Sequence, residues 1–227
     1  MRYKALFLDF YGTLVHEDDA IIADINKKMS VCSKAGNPPR EIGAYWRAEF
    51  WQLLDNSHGA DFKTQRELEI LSIQRTLGRF QCENMDINID EVLFSHWVKP
   101  YIFEDTFPFL AQNTLPVCIV SNIDRADILL AMSFHGMMFE HIVTSEDAKS
   151  YKPRPEMFTM ALKEMKLCPE QALHIGDSLS SDIAGAHRCG IDSFWLNRKA
   201  RNIPEMCPAT YTGNTLLDVL KLLNVLS

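Results

Sequence analysis

Five short apolar runs, at residues 3–10, 116–120, 141–144, 172–175 and 191–196, are separated by segments with helical spacing. That alternation restricts the chain to a parallel sheet covered by helices. Parallel neighbours need a long crossover, and a helix is the crossover that hides the faces of such a sheet. Helices are expected at 124–134 and 156–167, both entered through acidic or Pro signals, which makes two βαβ units. A third unit runs from residue 175 through a helix at 182–189, closed by Gly190 just past its end, into the run at 191–196.

One segment breaks the alternation. From residue 16 to 98 the patterns are helical, with no convincing strand. Ile21, Ile25, Met29 and Cys32 form one stripe, with Gly36 beyond its end; Pro39 opens the next helix, whose stripe is Ile42, Trp46, Phe50 and Leu53. Further helices are expected at 64–80 and 90–97. The chain therefore reads as α/β, with a doubly wound, Rossmann-like core at 1–15 and 99–227 and an inserted helical domain at 16–98.

Composition narrows the functional classes. Of 227 residues 47% are hydrophobic and 23% charged, enough to build a core and too apolar for a disordered chain. A net charge of −7 argues against nucleic acid or an anionic membrane surface as the main partner. The six cysteines show no CxxC and no zinc spacing, as expected of reduced thiols in a cytoplasmic protein. No signal-peptide pattern precedes the first strand, and no apolar stretch approaches the roughly 18 residues of a membrane span.

The chemistry-bearing residues fall at the ends of the runs. Asp9 closes the first, within Asp9-Phe10-Tyr11-Gly12-Thr13-Leu14; Ser121-Asn122 follows the second, Lys152-Pro153 the third after a short loop, and Gly176-Asp177-Ser178 the fourth, with Asp182 five residues after Asp177. Open α/β sheets bind ligands at the carboxyl ends of their strands. Each segment alone has a plainer reading: a turn aspartate, a helix N-cap, a solvated lysine.

Taken together, these four segments resemble the four motifs of the haloacid dehalogenase-like hydrolase superfamily, over residues 3–197, and the helical insertion resembles that family's C1-type cap. The resemblance implies that Asp9 is a nucleophile forming a covalent ester or acyl phosphate, and that Thr13 orients it. It gives Ser121 and the Asn122 amide region the substrate's anionic group, and makes Lys152 a fixed positive charge beside Asp9. In the family's phosphatases Mg²⁺ is held by the nucleophile, the carbonyl two residues on and a motif-four Asp, here Asp9, Tyr11 and Asp177, an oxygen set suited to a hard cation. Ser178 and Asp182 would stand behind these groups.

Two departures divide the family's branches. Phosphatases usually carry a second Asp where this chain has Tyr11, and a phenol is a poor base at neutral pH. The Tyr-Gly-Thr sequence resembles the 2-haloacid dehalogenases instead, as does the helix bearing Arg47, whose counterpart there holds the substrate carboxylate or the departing halide. Those enzymes, however, need no metal, put Ser where this chain has Asp177, and have a Tyr where it has Phe158.

The reading adopted from the sequence is a Mg²⁺-dependent phosphatase acting on a small anionic metabolite, with Tyr11 and Arg47 touching substrate, as a monomer or homodimer. A haloacid dehalogenase is the alternative, and a phospho-ligand-binding pseudoenzyme a third. If another group supplies the proton that Tyr11 cannot, His16 and Glu17 are the first candidates.

Overall fold

The computed structural model describes residues 2–82 and 88–226. The strands are β1 (Ala5–Leu8), β2 (Val117–Ser121), β3 (His141–Thr144), β4 (Ala172–Gly176), β5 (Asp192–Leu196) and β6 (Tyr211–Gly213). They form one parallel sheet in the order β3-β2-β1-β4-β5-β6. β1 is central, with Leu6 paired to Val117 on one side and Leu173 on the other. It reads Ala-Leu-Phe-Leu with no polar residue because both of its faces are covered. Leu6 and Leu8 enter one core with Ile119, Leu173 and Ile175. Phe7 enters a second with Val120, Phe158 and Ala161, as alternation along a strand requires.

Between β1 and β2 run α1 (Asp19–Cys32), α2 (Pro39–Asp55), α3 (Gln65–Phe80), α4 (Ile89–Val98) and the short α5 (Thr106–Gln112), with no strand among the described residues. Pro39 is the first residue of α2, as expected, and Thr64 and Glu67 form a reciprocal capping box that starts α3. Residues 83–87 of the expected helical insertion lie outside the described residues. Helix α2 packs on α1 and α3, while α4 reaches across to α6 (Arg125–His135) of the sheet layer. Among the described residues no helix is long and apolar enough to cross a membrane.

The remaining helices are α7 (Ser145–Ala148), α8 (Glu156–Met165), α9 (Ala184–Arg188) and α10 (Leu216–Val225). The helix expected at 182–189 is corrected to a wide π-type turn over Leu179–Ile183 followed by α9. In that turn the Asp182 carboxylate folds back onto the Ser178 N–H at 3.0 Å and the Lys152 ammonium at 2.6 Å, an anchorage that a regular helical start is not needed to explain. The short edge strand β6 had no counterpart in the sequence reading. Its three residues are only partly covered, so they lack a strand's apolar signature.

Candidate active site

β1, β2 and β4 are neighbours in the sheet, so their carboxyl ends bring Asp9, Ser121 and Asp177 to one crevice, where the strand order reverses direction. The crevice contains a cavity of about 220 Å³ lined by Asp9, Tyr11, Ser121, Lys152 and Asp177 from the sheet layer and by Trp51, Gln65 and Trp97 from the helices above it. Two glycines make the approach possible. Gly12 has φ +83° and a side chain there would collide with the Asp177 carboxylate; one at Gly176 would collide with Asp182.

Lys152 organises the floor. Its side chain is buried, and its ammonium donates to Asp9 Oδ1 (2.8 Å), Asp182 Oδ1 (2.6 Å) and the Val120 carbonyl (2.7 Å), so all three N–H groups are used. Burial works against the charged lysine, but Asp182 and Asp9 outweigh it and hold its pKa above the ordinary value. Burial alone would raise Asp182 too. Lys152 and His174, whose Nε2 lies 3.1 Å from Asp182 Oδ1, instead pull it well below the usual carboxylate range. Asp9 goes the other way: desolvation pushes it up to about 7 against the pull of Lys152.

Asp177 has no such partner. Its carboxylate accepts no hydrogen bond among the described residues, and the nearest cation, Arg201, stands at 4.0 Å. Desolvation, with Glu17, Asp182 and Asp9 adding to it, raises its pKa well above the ordinary value. Asp9, Asp177 and Asp182 offer oxygens within 4.8 Å of one another. Because Asp182 is already bonded to Lys152, His174 and Ser178, the two carboxylates with capacity left for a cation are Asp9 and Asp177. That donor set fits a hard divalent ion.

Other residues named from the sequence take more particular places. The Ser121 hydroxyl faces no described partner and borders the cavity. The Asn122 side chain is spent on the neighbouring loop, accepting the Lys152 N–H at 2.7 Å and donating weakly to the Lys152 carbonyl at 3.4 Å. The expected orientation of Asp9 by Thr13 has no hydrogen bond behind it, since Thr13 Oγ1 is buried without a partner. Thr13 is held through its carbonyl instead, which accepts from Arg198 Nη2 at 2.7 Å, and Arg198 is fixed by a paired contact with Asp105.

Around the rim, Ser178 caps its own turn through Ser181 N–H at 3.2 Å. The Tyr11 hydroxyl donates to the Trp97 carbonyl, which turns it away from proton chemistry. Arg47 is exposed on α2 and borders an adjoining outer cleft of about 560 Å³ rather than the inner cavity. Phe158 packs edge-on against His174 under the floor.

Three residues that the sequence reading passed over belong to this setting. His174 is a fully buried histidine inside β4, and a polar residue in a doubly covered strand was the one signal available. Asp18 and Trp97 carried no local signal, because the carboxylate and the indole meet across 79 residues of chain.

A family model described as haloacid dehalogenase-like hydrolase matches residues 3–190. The chain is 25% identical over 217 residues to (S)-2-haloacid dehalogenase H-109 of Pseudomonas putida, covering 89% of each. It is 33% identical over 88 residues to a glyceraldehyde 3-phosphate phosphatase of Pyrococcus furiosus, 39% of this chain and 37% of the relative. The solved structure of an L-2-haloacid dehalogenase superposes with a TM-score of 0.80 at 18% identity, over 99% of this chain and all of the other.

Proposed function

The chain belongs to the haloacid dehalogenase-like hydrolase family, and within it we propose a Mg²⁺-dependent phosphatase that acts on a small phosphorylated metabolite through an acyl phosphate on Asp9. The observation that carries this reading is Asp177, a partly buried carboxylate set beside Asp9 with no donor of its own. Two such groups repel unless a proton or a cation lies between them. Mg²⁺ held by Asp9, the Tyr11 carbonyl and Asp177 would neutralise the phosphoryl oxygens and keep both carboxylates ionised.

The chain's own groups supply the rest. Lys152 holds Asp9 Oδ1 from below, which leaves Oδ2 to attack phosphorus. The Ser121 hydroxyl donates to a phosphoryl oxygen. Arg47, at the outer cleft, meets the anionic remainder of the substrate with its planar fork. The helices over the crevice serve as the cap through which the non-reacting part is selected.

A second reading, 2-haloacid dehalogenation through an Asp9 ester, is favoured by Tyr11 and by the near full-length similarity to the Pseudomonas putida dehalogenase. One experiment divides the two. Phosphate release from a panel of phosphate monoesters and halide release from 2-chloropropionate are measured side by side, with Mg²⁺ and with chelator. Phosphate release abolished by chelator is the expected result; chelator-indifferent halide release establishes the dehalogenase.

A further inference from the structure

We propose that Asp18 is the general acid that protonates the leaving oxygen, an assignment that rests on the phosphatase reading above. An alkoxide is a poor leaving group, so cleavage of an alkyl phosphate needs a proton donor beside the cavity that holds Asp9. Asp18 borders both that cavity and the outer cleft into which a leaving group would extend. Its Oδ2 accepts the Trp97 indole N–H at 2.8 Å, and its Oδ1 takes no hydrogen bond from another described residue. One oxygen is thus held and the other remains available.

The neighbouring candidates are otherwise engaged. Glu17 is paired with the Lys199 ammonium at 2.8 Å. His16 stacks on the Phe103 ring 3.8 Å away and does not border the cavity. The Tyr11 hydroxyl already donates to the Trp97 carbonyl, so Trp97 removes one proton carrier from the cavity while holding another in it. Burial raises Asp18, against the pull of Trp97 and His96, which favours the protonated form a donor needs.

An Asp9 oxygen bonds to phosphorus as the bond to the leaving oxygen breaks, and the proton on Asp18 passes to that oxygen, giving the alcohol. Water then attacks phosphorus and the bond to Asp9 breaks. The water proton returns to the Asp18 carboxylate, and inorganic phosphate leaves.

The test compares kcat/KM of wild type, Asp18→Asn and Trp97→Phe for 4-nitrophenyl phosphate and for alkyl phosphate monoesters in saturating Mg²⁺. Asparagine keeps an oxygen for the Trp97 indole and is equally suited to the position before α1, so the variant should fold; thermal midpoints check this. Asp18→Asn is expected to lower the alkyl value by about 10²- to 10³-fold and the aryl value by less than about tenfold, because nitrophenolate leaves without a proton. Trp97→Phe should show the same asymmetry in weaker form.

Equal losses on both substrates, no loss on either, or a wild type that cleaves the aryl ester alone overturns the assignment. Halide release without any phosphatase activity in the wild type overturns the underlying reading instead, and the assignment falls with it.

Discussion

Lys152 shows how a single buried charge can be both costly and indispensable. Its ammonium sits between Asp9 and Asp182 with every proton donated. Removing one member of a buried ion cluster leaves uncompensated charge, typically at about 3–5 kcal/mol. Lys152→Met should therefore lose both activity and, in urea unfolding, stability of that order. Asp9→Asn separates the two properties. It removes a carboxylate that burial raises to about 7 while keeping an oxygen for Lys152. Its midpoint should not fall below wild type, while turnover drops by at least about 10³-fold. A clean Asp9→Asn preparation with several per cent of wild-type activity would exclude Asp9 as nucleophile.

At the scale of one element, α3 carries an acid on its buried face. Glu69 lies against Ser72 and Trp46, and burial, reinforced by Asp18, pushes its carboxyl from an ordinary 4.5 to about 8. Because the folded pKa is the higher one, the folded chain binds this proton more tightly than the unfolded chain. The associated stability is complete below about pH 4.5 and is lost as pH rises through about 8. Glu69→Gln keeps the shape and removes the titration. Relative to wild type the variant should gain stability between pH 5 and 8.5, on the order of 4 kcal/mol at the upper end. Unfolding curves that stay parallel across that range would assign the pH dependence elsewhere.

At the scale of the molecule, the helical insertion is fastened to the sheet layer by carboxylates lent across the boundary. Asp124, just before α6, does not cap its own helix; its two oxygens accept the Gln65 and Arg66 N–H groups at the start of α3, at 2.7 and 2.9 Å. Arg66 then pairs with Asp127 of α6, Nε to Oδ2 at 2.7 Å, so acidic groups serve two adjoining helix N-termini. The Tyr151 hydroxyl adds a bond to the Lys63 carbonyl at 2.7 Å. The Arg66–Asp127 pair is asymmetric: the arginine side chain is 38% exposed and the aspartate 2%. Arg66→Met strands a buried carboxylate and should cost about 3 kcal/mol, whereas Asp127→Asn leaves a guanidinium that water can reach and should cost about 1 kcal/mol. Urea unfolding at pH 7 checks the order; a reversed order would mean that Asp127 is solvated once its partner is gone.

Much of this architecture was legible along the chain because its causes are local. A strand covered on both faces is apolar along most of its length, so four of the expected strands overlie β1 to β4 and a fifth overlies β5, and a carboxylate following such a run emerges at the strand's end. Pro39, Thr64 with Glu67, and Gly190 act within a turn of where they stand, so they punctuate the helices where the sequence places them. Contacts between distant residues left no such trace. Nothing near Tyr11 shows that its hydroxyl meets a carbonyl 86 residues on, and nothing near Asp124 shows that it caps a helix 59 residues back. Thr13 reads as the residue that orients Asp9, yet the anchor on its carbonyl comes from Arg198, 185 residues away. Periodicity and capping are properties of a few adjacent residues, whereas the assignment of each polar group to its partner is settled when the sheet closes and water is expelled. Then most buried donors and acceptors are satisfied by whatever the fold has brought within 3 Å or so, Thr13 Oγ1 being an exception.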